Sequence, residues 1–210
     1  MQAVTPESKS NSPTVYVDDE DASIREVQSW LMQSNRIAVR CYAGAAAFLA
    51  EFKPDSPGCL IVDLFMPGMS GLDLQQYLIR HGITMPVIFL SGRGDIGKAV
   101  EAVKQGAVDF IEKPFDYKRI LLTVRECMQR DAAMRATRSS IDAFKVRLAT
   151  LTQREREVMD YVVAGQTNRE VAEILGISVK TVEAHRSRLM EKLDVDSVAS
   201  LVQNAVVAKS

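Results

Sequence analysis

Charge of one sign is what this sequence most lacks: 26 Lys and Arg stand against 27 Asp and Glu, a formal net charge of −1. That balance argues against a domain that holds nucleic acid by bulk attraction, so such a partner would have to be met by a local basic element. Cysteine is scarce too. Cys41, Cys59 and Cys127 are an odd number without CxxC or Cys/His spacing, which argues against a disulfide framework and a zinc site and leaves reduced, mostly buried thiols. No apolar run approaches the roughly eighteen residues of a membrane span. Met1 to Ser12 is polar, with Glu7 and Lys9, and fits neither a secretory signal nor a lipidation motif. It reads as a disordered leader, 1–12, on a cytoplasmic protein. What is present, 47% hydrophobic and 25% charged residues, is an ordinary globular composition.

From residue 14 to 115, short β-rich apolar runs alternate with helical patterns, the signature of βα units around a parallel sheet. Strands are expected at 14–17, 38–42, 60–63, 87–90 and 109–112, with helices at 22–33, 45–52, 72–80 and 96–105 between them. Residues 117–148 then contain no Gly or Pro and carry eight basic against three acidic residues, which predicts one long helix. Its apolar residues Ile120, Val124, Cys127, Met134 and Ile141 resemble heptads, but Asp131, Arg138 and Lys145 interrupt the seam. A weak coiled coil, and a solvated connector after a short terminal helix of the first domain, both fit. From Leu151 onward only short helices are signalled, at about 153–164, 168–175, 179–193 and 197–207. Capping boxes at Thr152/Glu155 and Thr167/Glu170 start two of them, and Ser178 caps a third. The expected architecture is an α/β domain with a five-stranded, doubly wound parallel sheet at 13–127, a linker helix at 128–147 and an all-α domain of four helices at 148–210.

In a doubly wound sheet the ligand site lies at the carboxyl ends of the strands. Asp18, Asp19 and Glu20 follow the first strand and Asp63 ends the third. Such acids repel unless a hard divalent cation joins them, and oxygen ligands suit Mg²⁺ or Mn²⁺. Ser91 ends the fourth strand and Lys113 follows the fifth. Acids, metal, hydroxyl and lysine make a phosphoryl-transfer constellation with Asp63 as nucleophile. A phosphatase with an aspartyl nucleophile would use similar parts, but the second acid such enzymes carry two residues on is here Phe65.

The blocks Val17-Asp18-Asp19-Glu20, Val62-Asp63-Leu64-Phe65-Met66-Pro67-Gly68-Met69-Ser70-Gly71, Phe89-Leu90-Ser91-Gly92 and Asp109-Phe110-Ile111-Glu112-Lys113-Pro114-Phe115 resemble the receiver domain of two-component response regulators, a flavodoxin-like fold. The resemblance implies that Asp63 accepts a phosphoryl group from a sensor histidine kinase. It also implies a metal held by Asp18, Asp19, Asp63 and the Phe65 backbone carbonyl, with Ser91 and Lys113 on the phosphoryl group. Ser91 and Phe110 would be the switch, and the Lys113-Pro114 bond would be cis. Phe65 departs from the polar or basic residue common in relatives and leaves the phosphoaspartate lifetime open.

In the C-terminal part, residues 168–175, Gly176-Ile177 and 178–193 have the lengths of a helix-turn-helix. Val182, Leu189 and Leu193 share one arc of the second helix and would pack on Val171, Ala172 and Leu175. The opposite arc offers Lys180, Glu183, Ala184, Ser187 and Arg188 to base edges, while Thr181, His185, Arg186 and Lys192 could reach phosphates. The segments from Leu151 to about Val207 resemble the LuxR-type DNA-binding domain, and the whole chain resembles the FixJ-like members of the NarL/FixJ response regulators. That resemblance implies a phosphorylation-dependent transcription regulator, not an enzyme. Its partners would be promoter DNA, RNA polymerase and a second copy of the chain when phosphorylated, with no membrane partner. In the family the last helix pairs two domains, for which Val198, Leu201, Val202 and Ala205 form the candidate stripe, although Val198 and Leu201 fit the core equally well. Two other readings stay open: a protein-binding helical module, and a regulator that binds DNA constitutively. Charge divides as −5 over 1–116, +5 over 117–147 and −1 over 148–210, so only the recognition helix of the last domain is basic.

Overall fold

The computed structural model describes residues 12–92 and 96–209; nearly all of the expected leader lies outside the described residues. Two compact units divide the chain between Met134 and Arg135. The first contains β1 (Thr14–Asp18), α1 (Ala22–Ser34), β2 (Ala38–Tyr42), α2 (Ala45–Glu51), β3 (Gly58–Asp63), α3 (Gly71–Arg80), β4 (Val87–Ser91), α4 (Ile96–Lys104) and β5 (Asp109–Glu112). All strand pairs are parallel, in the order β2-β1-β3-β4-β5. That is the doubly wound five-stranded sheet expected from the βα alternation.

Both faces of the sheet are covered, which is why its central strands read as continuous apolar runs. Along β3 every residue is buried, and successive side chains alternate between two cores. Leu60 and Val62 join Tyr16, Phe48, Leu74 and Phe89 on one face. Cys59 and Ile61 join Val15, Val17, Leu31, Met32, Ile120 and Val124 on the other. Cys59 and Cys127 are buried in this second core, whereas Cys41, on the edge strand, is exposed.

At the start of β3, Gly58 adopts φ +141°, and a Cβ there would fall 1.8 Å from the Thr14 carbonyl oxygen, so only glycine fits. Its amide donates to Asp131 Oδ2 at 2.9 Å, from the fourth turn of the long helix α5 (Tyr117–Ala149). For the first turns of α5 this supports the other reading, a terminal helix of the first domain. Ile120, Val124 and Cys127 are consumed by the receiver core, and Asp131, an interruption if the stripe faced a second helix, is a buried partner for a strand amide. The contacts of the first unit therefore run past residue 127.

In the second unit, α6 (Gln153–Val163), α7 (Asn168–Leu175), α8 (Val179–Leu193) and α9 (Val198–Lys209) surround Val158, Val162, Val171, Val182, Leu189, Leu193 and Leu201, with Phe144 of α5 in the same core. Both expected capping boxes form, and the Ser178 hydroxyl accepts from Thr181 N. Gly176 turns the chain from α7 toward α8 at φ 65°, ψ 33°, a left-handed cap that glycine adopts without strain. The stripe proposed for pairing on α9 is largely turned inward: Leu201 and Ala205 are buried and Val198 packs on the core, leaving Val206 and Val207 as the exposed apolar residues.

Candidate functional site

Sheet order makes the acidic mouth. β1 and β3 are neighbours, with Asp18 in register with Val62, so the end of one strand delivers Asp18 and Asp19 beside Asp63 at the end of the other. On the far side, Ser91 pairs with Glu112, and Lys113 N donates to the Ser91 carbonyl at 2.7 Å. The following Lys113-Pro114 bond is cis. Lys113 Nζ thereby reaches back across the mouth, 2.6 Å from Asp63 Oδ2 and 2.9 Å from Asp19 Oδ2. The other Asp63 oxygen accepts from Phe65 N at 3.2 Å. Gly71 lets α3 start directly beneath the site: a Cβ there would lie 2.4 Å from the Asp63 carbonyl oxygen.

Two local devices hold the acidic turn. Asp21 N donates to Asp19 Oδ1 at 2.9 Å, and Arg25 Nη1 donates to the carbonyls of Asp19 (2.7 Å) and Glu20 (2.8 Å). The role of Arg25 was missed in the sequence, where it reads as an ordinary polar residue of α1; its spacing of six from Asp19 was the available signal.

Asp18 is wholly buried, and neither carboxylate oxygen has a hydrogen-bond partner. Burial pushes its pKa up to about 7, with Asp19 adding to the rise; the nearby Gly44 amide and Arg25 offset part of it without completing a bond. Burial also raises Asp19, against the hydrogen bond from Lys113. Lys113 is itself raised: burial pulls it down, but its bonds to Asp63 and Asp19 and their negative charge outweigh that. The pocket is thus a set of carboxylates short of positive charge, with one lysine shared between two of them. Among the described residues no three His, Cys, Asp or Glu side chains converge into a metal shell by themselves. An orphaned buried carboxylate beside Asp19 and Asp63 is nonetheless a fit for a hard cation that brings its own waters.

Ser91 is buried, with its hydroxyl 3.4 Å from the Gly92 carbonyl. Phe110 on β5 is half-buried, its ring centroid 6.4 Å from that of Phe89. Phe65 stands at the mouth, 47% exposed, beneath the Lys98 ammonium of α4.

On α8, Val182, Leu189 and Leu193 face the core, while Lys180, Glu183, Ala184, Ser187 and Arg188 are exposed. Thr181 is exposed, but its hydroxyl is engaged by Ser178 Oγ at 2.7 Å; His185 is half-buried, with Nδ1 enclosed and lacking a partner. Two cations expected at phosphates have intramolecular tasks. Arg186 Nη1 donates to Asn168 Oδ1 at 2.7 Å, tying α8 to the start of α7. Lys192 Nζ donates to Glu155 Oε2 at 2.7 Å, tying the end of α8 to the capping box of α6. Glu155 is the residue whose weight the sequence concealed, because a capping glutamate is ordinarily a surface group.

Comparison with known proteins agrees with this geometry. Residues 15–125 match the response regulator receiver domain, and residues 149–205 match the bacterial regulatory proteins of the luxR family. The chain is 41% identical over 192 residues to the transcriptional regulatory protein TdiR of Thauera aromatica, covering 91% of this chain and 85% of that protein. It is 41% identical over 194 residues to the transcriptional regulatory protein FixJ of Azorhizobium caulinodans, covering 92% of each. The solved structure of the response regulator StyR superposes with a TM-score of 0.82 at 37% identity, over 92% of this chain and 98% of that one. With a receiver domain joined to a LuxR-type DNA-binding domain, the chain belongs to the FixJ-like response regulators, transcription regulators of two-component systems rather than enzymes.

Proposed function

We propose that Asp63 is the phosphoacceptor and that its phosphorylation gates dimerisation and promoter binding in the cytoplasm. The observation that carries this reading is Lys113 bridging Asp19 and Asp63 beside the orphaned Asp18. A carboxylate oxygen of Asp63 attacks the phosphorus of a phosphohistidine on the sensor kinase; the P–N bond breaks, its electron pair stays on the imidazole, and an acyl phosphate forms. Asp18, Asp19, Asp63 and the Phe65 carbonyl would hold Mg²⁺ or Mn²⁺, which when bound neutralises charge on the phosphoryl oxygens. Lys113 supplies a second cation for that charge, and the Ser91 hydroxyl turns from the Gly92 carbonyl toward a phosphoryl oxygen. Phe110 follows inward, alongside the Phe89 ring.

The surface that would feel this change carries exposed apolar residues: Val100 and Val103 on α4, and Tyr117 and Leu122 on α5. Their burial in a homodimer would bring two α8 helices to two half-sites, so that doubled contacts multiply affinity. Within each half-site Lys180, Glu183, Ala184, Ser187 and Arg188 read base edges, and Thr181 and His185 lie on the flanks. Lys192 is assigned a positioning role through Glu155. RNA polymerase is the partner once the dimer is on the promoter.

Mobility-shift titration of promoter DNA, with and without acetyl phosphate and Mg²⁺, tests the proposal. Affinity should rise with phosphorylation. Equal binding in both states would favour a constitutive regulator, and no binding in either would favour a protein-binding module.

A further inference from the structure

We infer that Arg25 is a positioning residue for the cation site: by bonding the carbonyls of Asp19 and Glu20 it holds the turn after β1 in the arrangement that gathers the carboxylates, and so sets the affinity of the pocket for Mg²⁺. The inference rests on the pocket being a cation site. Asp18, Asp19, Glu20 and Asp21 are four successive acids, of which Asp18 and Asp19 are buried, and the sheet brings Asp63 beside them. Like charges so placed repel, and without a cation they favour a turn that opens toward water. Few backbone bonds oppose that opening. Asp19 N donates to the Tyr42 carbonyl at 3.3 Å, and Arg25 N, in the first turn of α1, donates to Asp21 O at 3.1 Å. Between these two, among the described residues, the carbonyls of Asp19 and Glu20 accept no backbone amide. A single Arg25 nitrogen, Nη1, meets both, at 2.7 and 2.8 Å.

The helix itself gives no reason for an arginine there. Arg25 is the fourth residue of α1, near the positive end of the helix dipole, where acids are favoured and a cation has the wrong sign. A helical side chain leans toward the N-terminus, which carries the guanidinium back over the turn that it bonds. Both bonds go to main-chain oxygens, so they withdraw no carboxylate oxygen from a metal. The charge of Arg25 would repel a metal, but the side chain is half-buried and open to screening, whereas its bonds to the turn are direct. Asp21 N completes the clamp by orienting Asp19 through Oδ1 at 2.9 Å. Lys113, the other cation near these acids, acts differently: it is bonded to the Asp19 and Asp63 carboxylates and has to share them with any metal.

Calorimetric titration of the unphosphorylated full chain with Mg²⁺ tests this. Arg25→Met should raise the Mg²⁺ dissociation constant about ten- to a hundredfold, the usual effect of removing a group that orients metal ligands. Arg25→Lys, which keeps the charge and a donor for a carbonyl, should lose less. The Mg²⁺ concentration that gives half the maximal rate of phosphorylation by acetyl phosphate should rise by the same factor as the dissociation constant. The maximal rate should not change, because saturating metal restores the turn. Melting temperature in chelator should stay close to that of wild type. An unchanged Mg²⁺ constant in Arg25→Met overturns the inference, and so does a tighter one, which would make the guanidinium a rival of the metal. Loss of the fold in chelator also overturns it, since Arg25 would then serve the domain as a whole. If wild-type protein binds no Mg²⁺, it is the cation site that fails, and the same titration reads this.

Discussion

Two buried carboxylates, one in each unit, have opposite fates. Asp18 is 0% exposed, lacks a hydrogen-bond partner and has its pKa pushed up to about 7. Glu155 is 3% exposed, but its Oε2 accepts from both Lys192 Nζ at 2.7 Å and Thr152 N at 2.8 Å. The hydrogen bond from Lys192, then that from Thr152, hold its pKa down to about 2. The difference teaches what each place is for. A satisfied carboxylate fastens the start of α6 to the end of α8. An unsatisfied one weakens the resting fold, which fits the proposed cation site.

The largest expected effect separates the chemistry from the scaffold. Asp63→Asn keeps the shape of the side chain but removes the nucleophile, so phosphorylation by acetyl phosphate should be lost entirely in intact-mass measurements while the melting temperature changes little. Arg188→Ala should come next, costing about 1–3 kcal/mol of specific DNA affinity, roughly five- to 150-fold, with no change in melting. Lys192→Met sharpens the comparison from the other side. By stranding Glu155 it should lower the melting temperature of the second unit by about 5 °C, and its DNA affinity should fall only in step with the folded fraction.

The pH dependences should run in opposite directions. Asp18 binds its proton more tightly folded than unfolded, so in chelator the first unit should lose stability as pH rises from about 4 to about 7, by a few kcal/mol, and level off above. Asp18→Asn should flatten that slope, and Mg²⁺ should reverse the loss at pH 8. Glu155 has a depressed pKa, so its contribution is complete above about pH 4.5 and disappears as pH falls toward 2. Denaturant titrations at stepped pH, followed for each unit, would read both; a first unit that gains stability from pH 4 to 7 without metal would break the contrast.

The receiver pocket was legible in the sequence because each member ends a strand in a repeating βα pattern. Once the strand order is known, Asp18, Asp63, Ser91 and Lys113 have nowhere else to go. The capping boxes were legible because their partners are three residues apart. What stayed hidden depends on distant pairs: Asp131 meets Gly58 across 73 residues and Lys192 meets Glu155 across 37. In periodicity alone Asp131 breaks a heptad and Lys192 is one more exposed base, since a side chain's assignment to solvent, DNA or a buried partner is fixed by packing between elements. The same limit left the stripe on α9 with two readings, and for Leu201 packing decides for the core.

The charge balance acquires a physical meaning in this light. A second unit that is not basic as a whole, and that employs Arg186 and Lys192 internally, has few cations left for phosphates, so a single copy should hold DNA weakly and depend on doubled contacts. The most direct test of phosphorylation gating is promoter affinity and sedimentation of wild type and Asp63→Asn in parallel, with and without acetyl phosphate and Mg²⁺. Wild type should shift from monomer to dimer and gain affinity together, while Asp63→Asn does neither. A gain of dimer and affinity in Asp63→Asn on adding the phosphodonor would contradict the account.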